Sequence, residues 1–158
     1  MPDKTTDKYS FKFTLDTDRT TDLIEGILRL YKNGVVINEY RATSSTRANQ
    51  KDGSWLKRHG LIPPSKDLKG KGYQVDTKPI YMPNTPGIRG NFYCITPFAV
   101  PTDGDDRGDF GFHRDIGEDG SWGCVVLMTA RGWEALQRDI GNIAIAGLKQ
   151  VPLVVEYI

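Results

Sequence analysis

The stretch ILRLYKNGVVINEY, residues 27–40, decides the fold. Two runs rich in β-branched and aromatic residues meet at Asn33-Gly34, a dipeptide that tolerates the positive φ angles of a tight hairpin turn. A β-hairpin is therefore expected here, and the flanking sequence agrees with it. Upstream, YSFKFTL (9–15) alternates Tyr9, Phe11, Phe13 and Leu15 with polar residues, the period of a strand with one wet face. Downstream, IRGNFYCITPF (88–98), DFGFH (109–113) and CVVLM (124–128) read as further short strands, the last apolar on both faces, and VPLVVEYI (151–158) closes the chain as another.

Only one segment has helical spacing. After Thr129 as N-cap, Ala130, Trp133, Leu136 and Ile140 fall on one stripe. From about Ala42 to Ile80 few apolar pairs keep register, and the sequence predicts long loops with short strand pieces, which in a compact domain are more often functional than idle. Strands on both sides of a single helix predict a mostly β fold with one helix, a small β-sandwich or rolled mixed sheet. At 158 residues and 38% hydrophobic content, this is one domain with a real core.

Twenty-one Lys and Arg against 20 Asp and Glu give a net charge of +1, so no global field draws nucleic acid or an anionic membrane. A neutral or zwitterionic partner is expected instead. No run approaches the roughly 18 apolar residues of a membrane-spanning helix, and MPDKTTDKYSFKF lacks the apolar core of a signal peptide. The expectation is a chain made in the cytoplasm and delivered by other machinery. Cys94 and Cys124 form no C-x-x-C pair and no dense disulfide framework, so neither zinc nor any other metal or cofactor is called for.

The chemistry concentrates in GDFGFHRDIGEDGSWGCVVL (108–127), where His113 stands eleven positions before Cys124. A thiol becomes a nucleophile when a neighbour stabilises its thiolate, and a paired imidazole can bring its pKa of about 8.5 down to roughly 3.5–7.5. With DFGFH and CVVLM as adjacent antiparallel strands, the loop between them returns the chain so that both side chains project from one end. Gly123 has no Cβ and lets a carbonyl approach, so the amides of Gly123 and Cys124 can face a developing oxyanion. Ser121 can hydrogen-bond the loop or the thiolate.

These residues resemble the L,D-transpeptidase catalytic domain, whose signature is a histidine at a strand end followed by Ser-x-Gly-Cys. The hairpin LRLYKNGVVINEYRATS, the proline-bearing LIPPSKDLKGKGYQV and the helix after the cysteine strand are similar to that family's opening hairpin, Pro-Gly segment and helix. The resemblance implies Cys124 as nucleophile, His113 as its base, Ser121 as the motif serine and Gly123 as part of the oxyanion site. Trp122 would line the substrate cleft. The sequence departs from the commoner family form at Trp122, where that form has histidine, and at Val126, where it has arginine; the loop between His113 and Cys124 is also shorter. Arg114 or Arg89 is then left to supply the substrate-binding charge. The implied reaction is acyl transfer on a peptidoglycan stem peptide, with D-alanine expelled and a thioester formed. The site of action would be the periplasm or cell wall, with a delivery or immunity partner, as in divergent branches used as toxins or lytic enzymes.

Blander readings stand beside these. Cysteines are often simply buried, and Cys94, without such company, reads as core. His59, preceded by Lys57 and Arg58, reads as a surface loop residue. Asp103, Asp105, Asp106 and Asp109 superficially suggest a calcium loop but lack its terminal glutamate, and Trp133 reads as core. The competing functions are a non-catalytic β domain that binds cell wall, and a cysteine peptidase or amidase of other specificity.

Overall fold

The computed structural model describes residues 6–16, 25–44, 62–68, 72–85, 88–96, 99–100, 107–108, 110–114 and 124–158. His59, the acidic set Asp103, Asp105, Asp106 and Asp109, and the motif residues Ser121, Trp122 and Gly123 lie outside them.

The hairpin forms as its sequence dictates. Strands β2 (Glu25–Lys32) and β3 (Val35–Ser44) pair antiparallel, and the turn between them holds Asn33 at φ 52° and Gly34 at φ 81°. Strand β1 (Tyr9–Leu15) lies antiparallel to β2 with Phe11 opposite Leu30 and Phe13 opposite Leu28. Its alternation becomes sidedness: Phe11, Phe13 and Leu15 are buried, and Lys12 faces out to pair with Glu156 at 2.8 Å.

The remaining strands roll this sheet closed. They are β4 (Tyr73–Asp76), β5 (Ile80–Met82), β6 (Gly90–Thr96), β7 (Ala99–Val100), β8 (Arg107–Gly108), β9 (Gly111–Arg114), β10 (Val125–Leu127) and β11 (Gln150–Tyr157). Among the described strands the order is β4-β11-β1-β2-β3-β10-β9-β6, and β6 pairs back to β4, so eight strands form a closed ring. β5 lies beside β6 outside that ring, and β7 with β8 makes a separate small ribbon. Among the described residues the fold is thus mostly β with one α-helix, a rolled mixed sheet closed into a barrel rather than an open sandwich.

Closure explains a pairing that the sequence misreads. The strands carrying His113 and Cys124 are adjacent as expected, but β9 and β10 run parallel, not antiparallel. A closed ring of eight strands must reverse direction an even number of times. β1 and β11 are parallel, so the ring needs a second parallel step, and it falls between β9 and β10. A short loop suggests a hairpin locally, and the global closure overrides it.

Helix α1 (Ala130–Ile145) begins where Thr129 caps it, the threonine Oγ1 accepting from the Gly132 amide at 2.9 Å. Its buried stripe is Trp133, Leu136, Ile140 and Ile143, and it joins the barrel interior with Trp133 edge-on to Tyr93 at 5.8 Å. Ala130 is exposed in the first turn, so the stripe begins one turn later than its spacing suggests. On the helix's polar margin, Asp139 accepts from the Tyr40 hydroxyl and from Asn38 Nδ2, the latter at 2.9 Å.

Within the expected loop region, β3 continues to Ser44, and residues 62–68 lie tight against the barrel around a 3₁₀ turn (Ser65–Asp67). Ile62 is fully buried, its amide donates to Ser44 Oγ at 2.9 Å, and Ser65 Oγ accepts from the Val155 amide at 2.8 Å. Among the described residues no helix is long and apolar enough to cross a membrane.

Candidate active site

Strand alternation sorts the side chains around His113 and Cys124. Phe110, Phe112, Val125 and Leu127 point into the barrel core. The intervening residues, Gly111, His113, Cys124 and Val126, therefore belong to the outward face, where Phe92, Cys124 and Val126 form a second small apolar cluster backed by Met82, Ile88 and Cys94. This is why CVVL is apolar at every position: each face of β10 is covered by a different cluster.

The register fixes the neighbours. Val126 lies opposite His113 on one side and Thr43 on the other, and Val125 lies opposite Phe112. Continued by one residue, that register sets Cys124 beside Gly111, one row from His113. The two Cα atoms are then about 8 Å apart, from ordinary strand spacing and rise. Cys94 lies opposite Gly111 on β6. Cys94 and Cys124 are thus separated by two strand spacings, about 9.5 Å, beyond the roughly 7 Å between Cα atoms that a disulfide spans. Neither cysteine is in a disulfide.

Phe92 organises the centre of the face. Its ring lies over Gly111, where an added Cβ would come within 2.2–2.6 Å of three ring carbons, and it stacks on the imidazole of His113 with centroids 6.2 Å apart and planes 25° apart. Gly111 leaves the space, the Phe92 ring fills it, and His113 is held against the ring.

The imidazole has a defined tautomer. Nδ1 of His113 lies 2.9 Å from the backbone oxygen of Arg114. A carbonyl oxygen only accepts, so Nδ1 carries the proton and Nε2 the lone pair. Burial pushes the His113 pKa below its ordinary value, outweighing the opposing effect of the carbonyl bond. At neutral pH the ring is therefore uncharged, with a basic nitrogen able to accept a proton. Exposure is low throughout, at 2% for His113 and 7% for Cys124.

Of the residues singled out in the sequence, the fold brings Cys124 and His113 onto one face of neighbouring strands. Arg114 is exposed, but by alternation it belongs to the side of the sheet occupied by its neighbour Leu127, opposite to His113. Val126 is fully buried at the centre of the outer cluster. Cys94 is partly exposed on the same outer cluster rather than in the barrel core. The sequence reading missed Phe92 and Thr43, the latter a fully buried polar residue beside Val126. Gly111, a lone glycine inside a strand pattern, was the available signal for Phe92, because such a glycine often marks the close approach of another group.

Compared with models of known protein families, with curated proteins and with solved structures, the chain matches none.

Proposed function

We propose that this protein is a cysteine acyl-transferase of the L,D-transpeptidase type, acting on peptidoglycan stem peptides. The observation that carries the reading is the placement of Cys124 and His113 on one face of adjacent strands, with Nδ1 of the imidazole committed to a carbonyl and Nε2 left basic. In the proposed reaction Nε2 accepts the Cys124 proton as sulfur attacks the carbonyl between meso-diaminopimelate and D-alanine. The tetrahedral intermediate collapses with loss of D-alanine, whose nitrogen takes the proton from His113, leaving a thioester on Cys124. An amine acceptor resolves the thioester to a cross-link or an exchanged D-amino acid, and water resolves it to a shortened stem. The amides of Gly123 and Cys124 are the proposed oxyanion donors, and Ser121 and Trp122 the motif neighbours. Such chemistry would be exercised in the periplasm or cell wall.

The near-complete burial of both side chains favours a second reading, a β domain that binds cell wall without catalysis. Incubation with a carbapenem under reducing conditions, followed by intact-mass measurement, separates the two. The acyl-transferase reading expects a covalent adduct on the wild type that is absent from Cys124→Ala. The binding-domain reading expects no adduct on either and retention of both proteins on purified peptidoglycan.

A further inference from the structure

We propose that the ring of Phe92 is a gate, closing the way to Cys124 and His113 where it lies and opening it to substrate by swinging toward Ile80. What the gate serves rests on the reading of Cys124 as the nucleophile; that Phe92 covers the pair rests on contacts alone. Burial poses the problem. Cys124 is 7% exposed and His113 2%, so neither offers a peptide carbonyl an open approach. A thiol that reacts with a polymer has to be uncovered during turnover, by a group that can move without unfolding the domain.

Three contacts make Phe92 that group. Its ring fills the space over Gly111, it stacks on the His113 imidazole with centroids 6.2 Å apart, and it packs in one cluster with Cys124 and Val126. A phenyl ring offers no donor or acceptor of its own, so no directional bond ties it there. The neighbours set the direction of its movement. Continued by one residue, the β6–β9 register puts Phe92 across from His113, and fully buried Val126 lies beyond the imidazole. That side is filled. On its other side Phe92 pairs with Ile80 of β5, a three-residue strand at the end of the strand order. Ile80 is half-exposed and lines a cleft of about 950 Å³ together with Lys78, Pro79 and Leu148. A change of χ1 rotamer that lifts the ring off Gly111 thus has one open direction, toward the cleft. It clears Cys94, Gly111 and Cys124, neighbours across β6, β9 and β10, for a peptide approaching the sulfur from that side.

The test is the rate at which iodoacetamide modifies Cys124, read by intact mass in the full chain carrying Cys94→Ser. The reaction is run at pH 9, above the ordinary thiol pKa of about 8.5, so that access rather than ionisation dominates. Into this parent are placed Phe92→Ala, which removes the ring, Gly111→Ala, whose methyl displaces the intact ring, and Tyr40→Phe, which weakens the domain at its bond to Asp139. Phe92→Ala and Gly111→Ala should each react about tenfold faster than the parent or more, and Tyr40→Phe at the parent's rate. The parent's own rate should stay flat in urea below the unfolding transition, as local opening does. Parent-like rates in both ring variants overturn the proposal, and so does an equal acceleration in Tyr40→Phe, which marks global unfolding. Faster alkylation in the ring variants, found together with no carbapenem adduct on wild type, keeps the gate and removes the acyl-transfer reading. A carbapenem adduct that forms on wild type as fast as on both ring variants removes the gate alone.

Discussion

Replacing Gly111 by alanine puts the geometry of the candidate site under direct strain. The new methyl would lie 2.2 Å from the Phe92 ring tip and 2.5–2.6 Å from its two neighbouring carbons, well inside van der Waals contact. The ring has to swing away, yet Phe92 is only 6% exposed and packs among Cys124, Val126, Met82 and Ile88. Overpacking of this kind costs about 1–3 kcal/mol, and the broken stack on His113 adds about 0.5–1.5 kcal/mol. Against these, removing glycine's extra freedom in the unfolded chain returns about 0.4–1 kcal/mol. The net expectation is a loss of about 2 kcal/mol, or roughly 4–8 °C in Tm for a domain of this size. Urea denaturation of the wild type, Gly111→Ala, Phe92→Ala and the double variant measures it as a cycle. Once Phe92 is truncated the methyl has room, so the double variant should be more stable than the sum of the single changes requires, by at least about 1 kcal/mol. A Gly111→Ala protein within about 0.5 kcal/mol of wild type, or a cycle that is simply additive, would refute the stacked arrangement of Phe92, Gly111 and His113.

Further expectations follow from the barrel and its helix. At Gly26 the atom obstructing a Cβ is the Thr14 backbone oxygen, at 2.3 Å, which cannot rotate out of the way; Gly26→Ala should therefore have a lower urea midpoint than Gly111→Ala. Tyr40→Phe removes the hydroxyl that donates to Asp139 and should destabilise the domain by about 1.5–3 kcal/mol in thermal or urea unfolding. Burial, seconded by that bond to Asp139, raises the Tyr40 pKa above its ordinary value. The unfolded phenol then ionises first, so the stability gained at Tyr40 is intact below about pH 10 and declines as pH rises beyond it; the decline should be smaller in Tyr40→Phe. His113 has the opposite sign. Its folded pKa is depressed by burial, so the unfolded state binds the extra proton and stability falls as pH drops below about 6.5. Urea midpoints at pH 7.5 and 5 should show this fall in wild type and a shallower one in His113→Gln.

Local chemistry made much of the fold legible. The Asn33-Gly34 turn, the alternation of Phe11, Phe13 and Leu15, and the Thr129 cap each act over a few residues, and each stands where its sequence puts it. The direction of β10 against β9 was not legible, because it follows from closing the ring through β1 and β11, segments more than 100 residues apart in the chain. The same distance effect hid Thr43 and Phe92, which reach the neighbourhood of Val126 and His113 only through β3 and β6. The spacing and flanking glycines lead to the expectation that Cys124 and His113 share a neighbourhood, and the fold sets them on one face of neighbouring strands. Their placement on one face is a consequence of the parallel register, which sets Val126 rather than Cys124 directly across from the imidazole.

The account turns on the sulfur of Cys124 acting as a nucleophile with His113 as its base. Mass analysis of muropeptides after treatment of diaminopimelate-type peptidoglycan tests this most directly, with wild type, Cys124→Ala and His113→Ala compared under reducing conditions. The account predicts stems that have lost or exchanged their terminal D-alanine, or new cross-links at diaminopimelate, with wild type alone. A muropeptide profile identical across all three proteins, or products that persist in Cys124→Ala, would contradict it.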